Sequence, residues 1–246
     1  MAYGMTRLGF LSGGGAIPDR SLDFEQSSSQ YLSMSDTNFG AFDRNKGTIS
    51  VWVKKESSSS LSTQGALLSQ FASGNMCFAV GFEGTGKIAM DVSTNGAIAT
   101  NNGRLATTAT YSNGIWYHIK FLYDMQNATA ANRLRIWVDG TEIASFSDRT
   151  NPPQTSLYNS TADIRIGSNQ ENGTHHDGLL YQIAYFSGVD VPIGQLISGG
   201  NPLDVKGISG LYSLLNTNAG GALEDDYVLS TNWTNNNTVI KSTEVP

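Results

Sequence analysis

An all-β fold of short antiparallel strands, a sandwich or a barrel, is the class that this 246-residue sequence predicts. Three observations carry that expectation. From residue 21 onward, apolar and polar residues alternate over short runs, the spacing that puts every second side chain on one face of a sheet. Gly is abundant, with 27 copies, and charged residues make up only 15%, against a typical ~25%. No segment sustains a 3.6-residue apolar period long enough for a substantial helix.

Residues 1–20 combine a short apolar stretch with Gly13-Gly14-Gly15 and read as an arm; their apolar run is too short for a secretory signal. The strand-forming region is expected over 21–198. SLDFE (21–25) alternates, and QYLS follows. In GTISVWVKK (47–55), Ile49, Val51 and Val53 share one face, and Thr48, Ser50 and Trp52 the other. The serine-rich run 57–64 reads as a loop, with ALLSQF behind it.

GFEGTGKI (81–88) has most of a phosphate-binding loop: Gly81, four residues, then Gly86-Lys87. Such a loop needs a Ser or Thr after the lysine and a helix after that. Here Ile88 stands in that place, and Ile88, Met90 and Val92 alternate with Lys87, Ala89 and Asp91. With MCFAVGF ahead of it, the stretch is expected to be a β-hairpin turning at EGTG.

IWYHIKFLYD (115–124) is the strongest strand. Ile115, Tyr117, Ile119, Phe121 and Tyr123 share one face, and Trp116, His118, Lys120 and Leu122 the other. Asp139-Gly140 marks a second hairpin. ADIRIG (162–167) and GLLYQIAYF (178–186) complete the strands, and IGQLIS (193–198) is expected to make one helical turn. Residues 199–246 are polar and Asn-rich and read as an irregular tail, packed on the domain or on a neighbour.

Three blocks in order resemble the laminin-G-like, concanavalin A-like jelly-roll domains. They are GTISVWVK (47–54), then NGIWYHIKFLYD with LRIWVDGTEIASF, then IRIGSN ahead of HDGLLYQIAYFSGV. The resemblance spans residues 21 to about 190 and implies a jelly-roll sandwich of two antiparallel sheets. Tyr181-Gln182 stands where many members carry an Asp-Glu pair near calcium-linked contacts, so a family calcium site is not expected. The two ends resemble another group. MTRLGFLSGGGA is similar to the start of many tailed-phage proteins with such domains, and LSTNWTNNNTVIKSTEVP to a segment of phage particle proteins. These likenesses imply a virion location. Arm and tail would contact other capsid or tail proteins, in a homo-oligomer or a lattice.

The formal charge of −6 and a pI of about 5.0, with no basic stripe, exclude a nucleic-acid groove. No run approaches the ~18 apolar residues of a membrane-spanning helix. Cys77 is the only cysteine and, inside MCFAV, is expected to be a buried hydrophobe. A glycoside hydrolase of this class needs carboxylates at i, i+2 and beyond on one strand. In the hydrolases of this fold the pattern is E-x-D-x-x-E or close to it. No glutamate here sits two residues before an Asp on a strand with a second Glu after it, so no catalytic residue is assigned. His118, mid-strand, is expected to be structural.

The sharpest polar cluster is SNQENGTHHDG (168–178). Asn169, Glu171, Asn172, His175, His176 and Asp177 fall on one loop, as candidates for a glycan or partner contact. Their oxygens could take calcium and the histidines a transition metal, although the EF-hand spacing is missing and adjacent histidines point apart. Otherwise no cofactor or metal is expected. Trp52, Trp116 and Trp137 read as core. Trp233, with Tyr158 and Tyr212, is expected to be exposed and available to a sugar or a neighbour. The function expected is that of a non-enzymatic virion structural protein, a capsid-decoration or fibre-associated subunit with a glycan-binding role. The alternatives are a lectin-like module acting on host-surface glycans and a glycoside hydrolase.

Overall fold

The computed structural model describes residues 20–56, 67–97, 102–169, 175–215, 228–229 and 232–246. Along the chain its strands are β1 (Ser21–Phe24), β2 (Tyr31–Met34), β3 (Lys46–Lys55), β4 (Leu68–Gln70), β5 (Met76–Phe82) and β6 (Ile88–Gly96). Next come β7 (Gly103–Thr107), β8 (Trp116–Asp124), β9 (Leu134–Val138), β10 (Thr141–Glu142), β11 (Phe146–Thr150) and β12 (Ile164–Ile166). The last are β13 (Gly178–Ser187), β14 (Ile197–Ser198), β15 (Asn201–Pro202), β16 (Leu211–Leu215), β17 (Thr234–Asn236) and β18 (Ile240–Ser242).

Among the described residues these strands make two eight-stranded antiparallel sheets and one small ribbon, β14-β15. The first sheet runs β10-β9-β8-β3-β13-β1-β18, with β16 also paired to β13; the second runs β11-β7-β6-β5-β4-β12-β2-β17. This is the expected all-β jelly-roll sandwich. The Asp139-Gly140 hairpin forms as the sequence implies, both residues taking positive φ (48° and 83°) between β9 and β10.

Alternation places the core between the sheets. Ile49, Val51 and Val53 of β3 and Ile119, Phe121 and Tyr123 of β8 pack with Phe78, Val80, Met90 and Leu105 of the opposite sheet. Cys77 is fully buried, and burial pushes its thiol up to about 12. The outer face of β3 and β8 is buried as well, because the chain after β13 folds back over it. Val191, Leu196 and Val205 pack on Ala184 and Phe186, while Ile197 joins Trp52 and Tyr181. Thr48 Oγ1 donates to Val189 O at 2.9 Å, and Lys120 Nζ donates to Asp190 Oδ1 at 2.5 Å and Val191 O at 2.6 Å. Tyr181 and Gln182 sit where the β13–β3 register shifts; Gln182 takes φ 48° and its amide donates to Leu203 O at 2.7 Å.

Several placements differ from the sequence reading. Tyr212, expected to be exposed, is half-buried against Phe39, and its hydroxyl donates to Phe39 O at 2.7 Å. Ile115 lies one residue before β8 and is 50% exposed rather than continuing the core face. Residues 199–246 are irregular over much of their described length, yet β16 pairs with β13, β17 with β2 and β18 with β1. Trp233, expected at the surface, is buried against Phe39, with ring centroids 6.2 Å apart, so it is not a surface contact.

Candidate functional site at one end of the sandwich

The end where β3 finishes and β8 and β13 begin brings together the loop singled out in the sequence, a group of carboxylates and a polar cleft. Gly178 pairs with Lys55 and Phe24 with Gly178, while Trp116 pairs with Lys54. The loop singled out in the sequence leads into this end. Glu171 and Asn172 lie outside the described residues. Asn169 is buried, and its carbonyl accepts from Ser168 Oγ at 3.0 Å. His175 bridges to Ser168, with its ring 5.8 Å from that of Tyr31. His176 faces the interior, edge-on to Phe24 at 6.2 Å, and its backbone N–H donates to Gly167 O at 2.7 Å. Burial lowers both imidazoles, His176 to about 4. The two rings meet different neighbours, so they do not form a joint metal site.

Asp177 turns the other way, toward carboxylates that sequence reading did not single out. Its Oδ1 accepts from Gln26 N at 3.2 Å, and its carbonyl accepts from Glu56 N at 3.0 Å. Beside it, oxygens of Asp23, Glu25 and Glu56 lie within 4.8 Å of one another. Burial and then the Asp177 charge raise the Asp23 carboxyl; burial and then Asp23 raise that of Glu56. These oxygens are the ones that could hold a hard cation such as calcium. Alternation pairs Asp23 with Glu25 in SLDFE but does not reveal that Glu56, just beyond the end of β3, joins them.

The other feature of this end is a cleft of about 310 Å³ lined by Lys55, Gly84–Gly86 and Thr110–Asn113. The β5–β6 hairpin forms one wall. Phe82 pairs with Ile88, Glu83 N donates to Lys87 O at 2.8 Å, and Gly86 N donates to Glu83 O at 2.8 Å. Gly86 takes φ +79°, and its missing side chain matters: a Cβ there would lie 3.1 Å from Lys55 Nζ and 3.2 Å from Tyr111 O. That closeness lets the 108–115 loop dock, with Tyr111 N donating to Gly86 O at 2.9 Å. Tyr111 is held edge-on against Tyr117 at 5.1 Å, and Ser112 N donates to the Tyr117 hydroxyl at 3.2 Å.

Lys87, the lysine of the phosphate-loop look-alike, does not line this cleft. Its Nζ donates to Ser147 Oγ at 3.1 Å. The cation in the cleft is Lys55, which sequence reading passed over. A signal was present: in TISVWVKK, Lys55 falls on the core-facing parity of Ile49, Val51 and Val53. Lys55 is 5% exposed, with Nζ over the Phe82 ring at 4.9 Å, and burial lowers its ammonium from the ordinary value.

The fold has wide company. The sequence model described as the concanavalin A-like lectin/glucanases superfamily matches residues 26–189. No curated protein matches the chain. Among solved structures, a candidate carbohydrate-binding protein from Bacteroides ovatus superposes with a TM-score of 0.65 at 15% identity, over 92% of this chain and 60% of its own. This chain thus spans well under two thirds of that protein. The heptameric SAP-like pentraxin of Limulus polyphemus gives 0.57 at 12% identity, covering 92% and 96% of the two chains. A variant of the NanB sialidase from Streptococcus pneumoniae gives 0.52 at 14% identity, over 76% of this chain and 29% of that one. At these identities the likeness is one of fold. The three sequence blocks, the two paired sheets and a family match over more than half of the residues agree: the chain belongs to the concanavalin A-like lectin/glucanases superfamily.

Proposed function

We propose that this chain is a non-enzymatic carbohydrate-binding module that takes a sugar in the Lys55–Tyr111 cleft. The observation that carries the reading is the cleft itself. An aromatic ring, Tyr111, stands beside the exposed side chains of Thr85, Thr110, Ser112 and Asn113, none of which makes a side-chain hydrogen bond among the described residues. Such a mixture of one ring face with unused polar groups, in a concavity of roughly 300 Å³ or more, is what small-molecule sites present. The kinship in fold with a candidate carbohydrate-binding protein supports the same reading. Among the described strands none carries a Glu two residues before an Asp with a second Glu after it, the pattern of the hydrolases of this fold. Asp23, Glu25 and Glu56 instead converge, with oxygens within 4.8 Å of one another, as the ligands of a hard cation do.

A broad glycan array, run with and without calcium, tests it. Binding is expected, and Tyr111→Ala should abolish it while the protein stays folded. No binding to any glycan would sink the proposal, as would turnover of β-glucans or alginates.

We further propose that the module is displayed on the particle of a tailed bacteriophage. The support is the likeness of both ends to phage proteins. Removing residues 1–20 should prevent incorporation into particles while leaving the sandwich folded, since every described strand of the two sheets lies beyond residue 20. Normal incorporation of the shortened chain would overturn this.

A further inference from the structure

Lys55 poses a problem that the fold leaves open. Its parity on β3 forces its stem between the sheets, and only 5% of the residue is exposed. The other strongly buried lysine, Lys120, is matched by Asp190 and the Val191 carbonyl. Arg104, half-buried, is matched by Asp91, Glu83 and Asp148. Lys55 Nζ makes neither an ion pair nor a hydrogen bond among the described residues; the Phe82 ring is its single cation-stabilising contact. The nearby carboxylates of Asp23, Glu25 and Glu56 do not pair with it, and Lys54, its neighbour, pairs with Glu244. A buried ammonium without a counter-charge is costly: it gives up its proton more readily, or gains strongly when a ligand supplies the missing charge.

The space in front of it is kept open. Only a glycine at 86 avoids placing a carbon 3.1 Å from Nζ, and the cleft lining offers the hydroxyl of Thr85 on the hairpin and those of Thr110 and Ser112, with the amide of Asn113, on the 108–115 loop. One fixed cation ringed by hydroxyl and amide donors is the complement of a singly charged oxyanion.

We infer that the cleft seats an acidic sugar, with its carboxylate or sulfate oxygens on Lys55 Nζ and its ring against Tyr111. The sugar part rests on the carbohydrate-binding reading; the anion part rests on Lys55 alone. A uronic acid, a sialic acid and a sulfate ester all present such a negative group, and the chemistry at Lys55 is the same for each.

The test is a titration of the full chain, followed by NMR of the Lys55 side-chain ammonium and by calorimetry. The probes are glucuronic acid, N-acetylneuraminic acid, galactose 6-sulfate, galactose, glucose and inorganic sulfate. Wild type should bind at least one acidic sugar about tenfold or more tighter than its neutral counterpart, the usual weight of one charge-assisted hydrogen bond. Binding should weaken with salt, and the Lys55 pKa should rise on binding. Lys55→Met, which keeps the stem, should erase the preference for acidic over neutral sugars while retaining the fold by circular dichroism. Lys55→Arg should keep part of it. The comparison between carboxylate and sulfate sugars identifies the source of the anion. If neutral sugars bind and acidic ones bind no better, this inference falls and the carbohydrate reading stands. If sulfate moves the Lys55 signal but no sugar binds, the anion site stands and the sugar is wrong. If no anion perturbs Lys55, or Lys55→Met binds acidic sugars like wild type, the inference is overturned outright.

Discussion

His118 and His176 are buried imidazoles whose surroundings oppose protonation. Burial, with the Lys120 charge adding, lowers His118 to about 3; burial lowers His176 to about 4 despite Asp177 next to it. In the unfolded chain both return to ~6.5. Below that pH the unfolded state takes up protons that the folded state refuses, so stability falls with pH. The His176 contribution is complete near pH 4 and the His118 contribution near pH 3. Shifts of this size correspond to roughly 3 kcal/mol or more for each histidine. Asp91 works in the opposite sense. Burial raises it to about 6 against the pull of Arg104, so it favours the folded state as the pH falls from about 6 toward the ordinary carboxylate value. Asp23, Glu56 and Asp139, raised chiefly by burial, act in the same sense as Asp91, while His175, lowered by burial, acts with the other histidines. The fully buried His118 and His176 dominate the balance. Urea titrations should therefore show stability dropping steadily from about pH 7 to about pH 4, by several kcal/mol. His176→Gln should flatten part of that slope. A flat profile over this range would contradict neutral, buried histidines. At this scale the sequence was legible wherever a residue sat inside a strong pattern: Cys77 in MCFAV is buried as expected, and His118 in IWYHIKF, expected to be structural, is buried mid-strand against Ser50. Lys55 was equally legible by parity, but a terminal lysine is ordinarily read as solvated. Trp233 was not legible, since a lone tryptophan among Thr and Asn has no periodicity to place it.

Secondary elements follow the same rule. Strands with alternating apolar faces (β3, β5, β6, β8, β13) stand where the pattern puts them. β7 and β11 were missed. β11 is an edge strand, exposed over 147–150 and joined to β7 through its backbone, and such pairing leaves no apolar signature. The EGTG turn was legible because glycine was required. Its two candidate functional positions can be separated by mutation. Lys87→Ala removes one exposed contact with Ser147 and should change stability by less than about 0.5 kcal/mol. Gly86→Ala places a side chain at φ +79° and presses on Lys55 and on the Tyr111 carbonyl; it should cost about 1–2 kcal/mol and weaken ligand binding in the cleft. Thermal melts and glycan titrations of the two variants check this. Loss of a nucleotide affinity in Lys87→Ala would restore the phosphate-loop reading, and a silent Gly86→Ala would show that the hairpin does not shape the cleft.

The C-terminal segment ties the two layers together, and it does so by joining both. β17 adds to β2 in one sheet and β18 to β1 in the other, so the same short stretch covers an edge of each. Between them Val239 is buried, and ahead of them Trp233 enters the core beside Phe39. Side chains reinforce the junction. Gln30 Nε2 donates to Thr238 O at 2.9 Å, Asn237 Nδ2 to Ser29 O at 2.9 Å, and Ser21 Oγ to Glu244 O at 2.6 Å. The likeness of this segment to phage particle proteins thus does not require it to grip a neighbour; its described part grips its own domain. Losing Trp233 alone should cost about 3–5 kcal/mol, a large share of the ~5–15 kcal/mol that holds a typical domain. Deleting residues 232–246 would also bare two sheet edges. The chain ending at residue 231 is therefore expected to unfold or aggregate, while Trp233→Phe, which keeps a ring beside Phe39, should remain folded with a lower Tm. Circular dichroism and sedimentation of the two proteins decide the matter. A shortened chain that stays monomeric and melts within a few degrees of the full-length protein would mean that the sandwich closes without its last two strands, and that the segment is free to serve a neighbour after all.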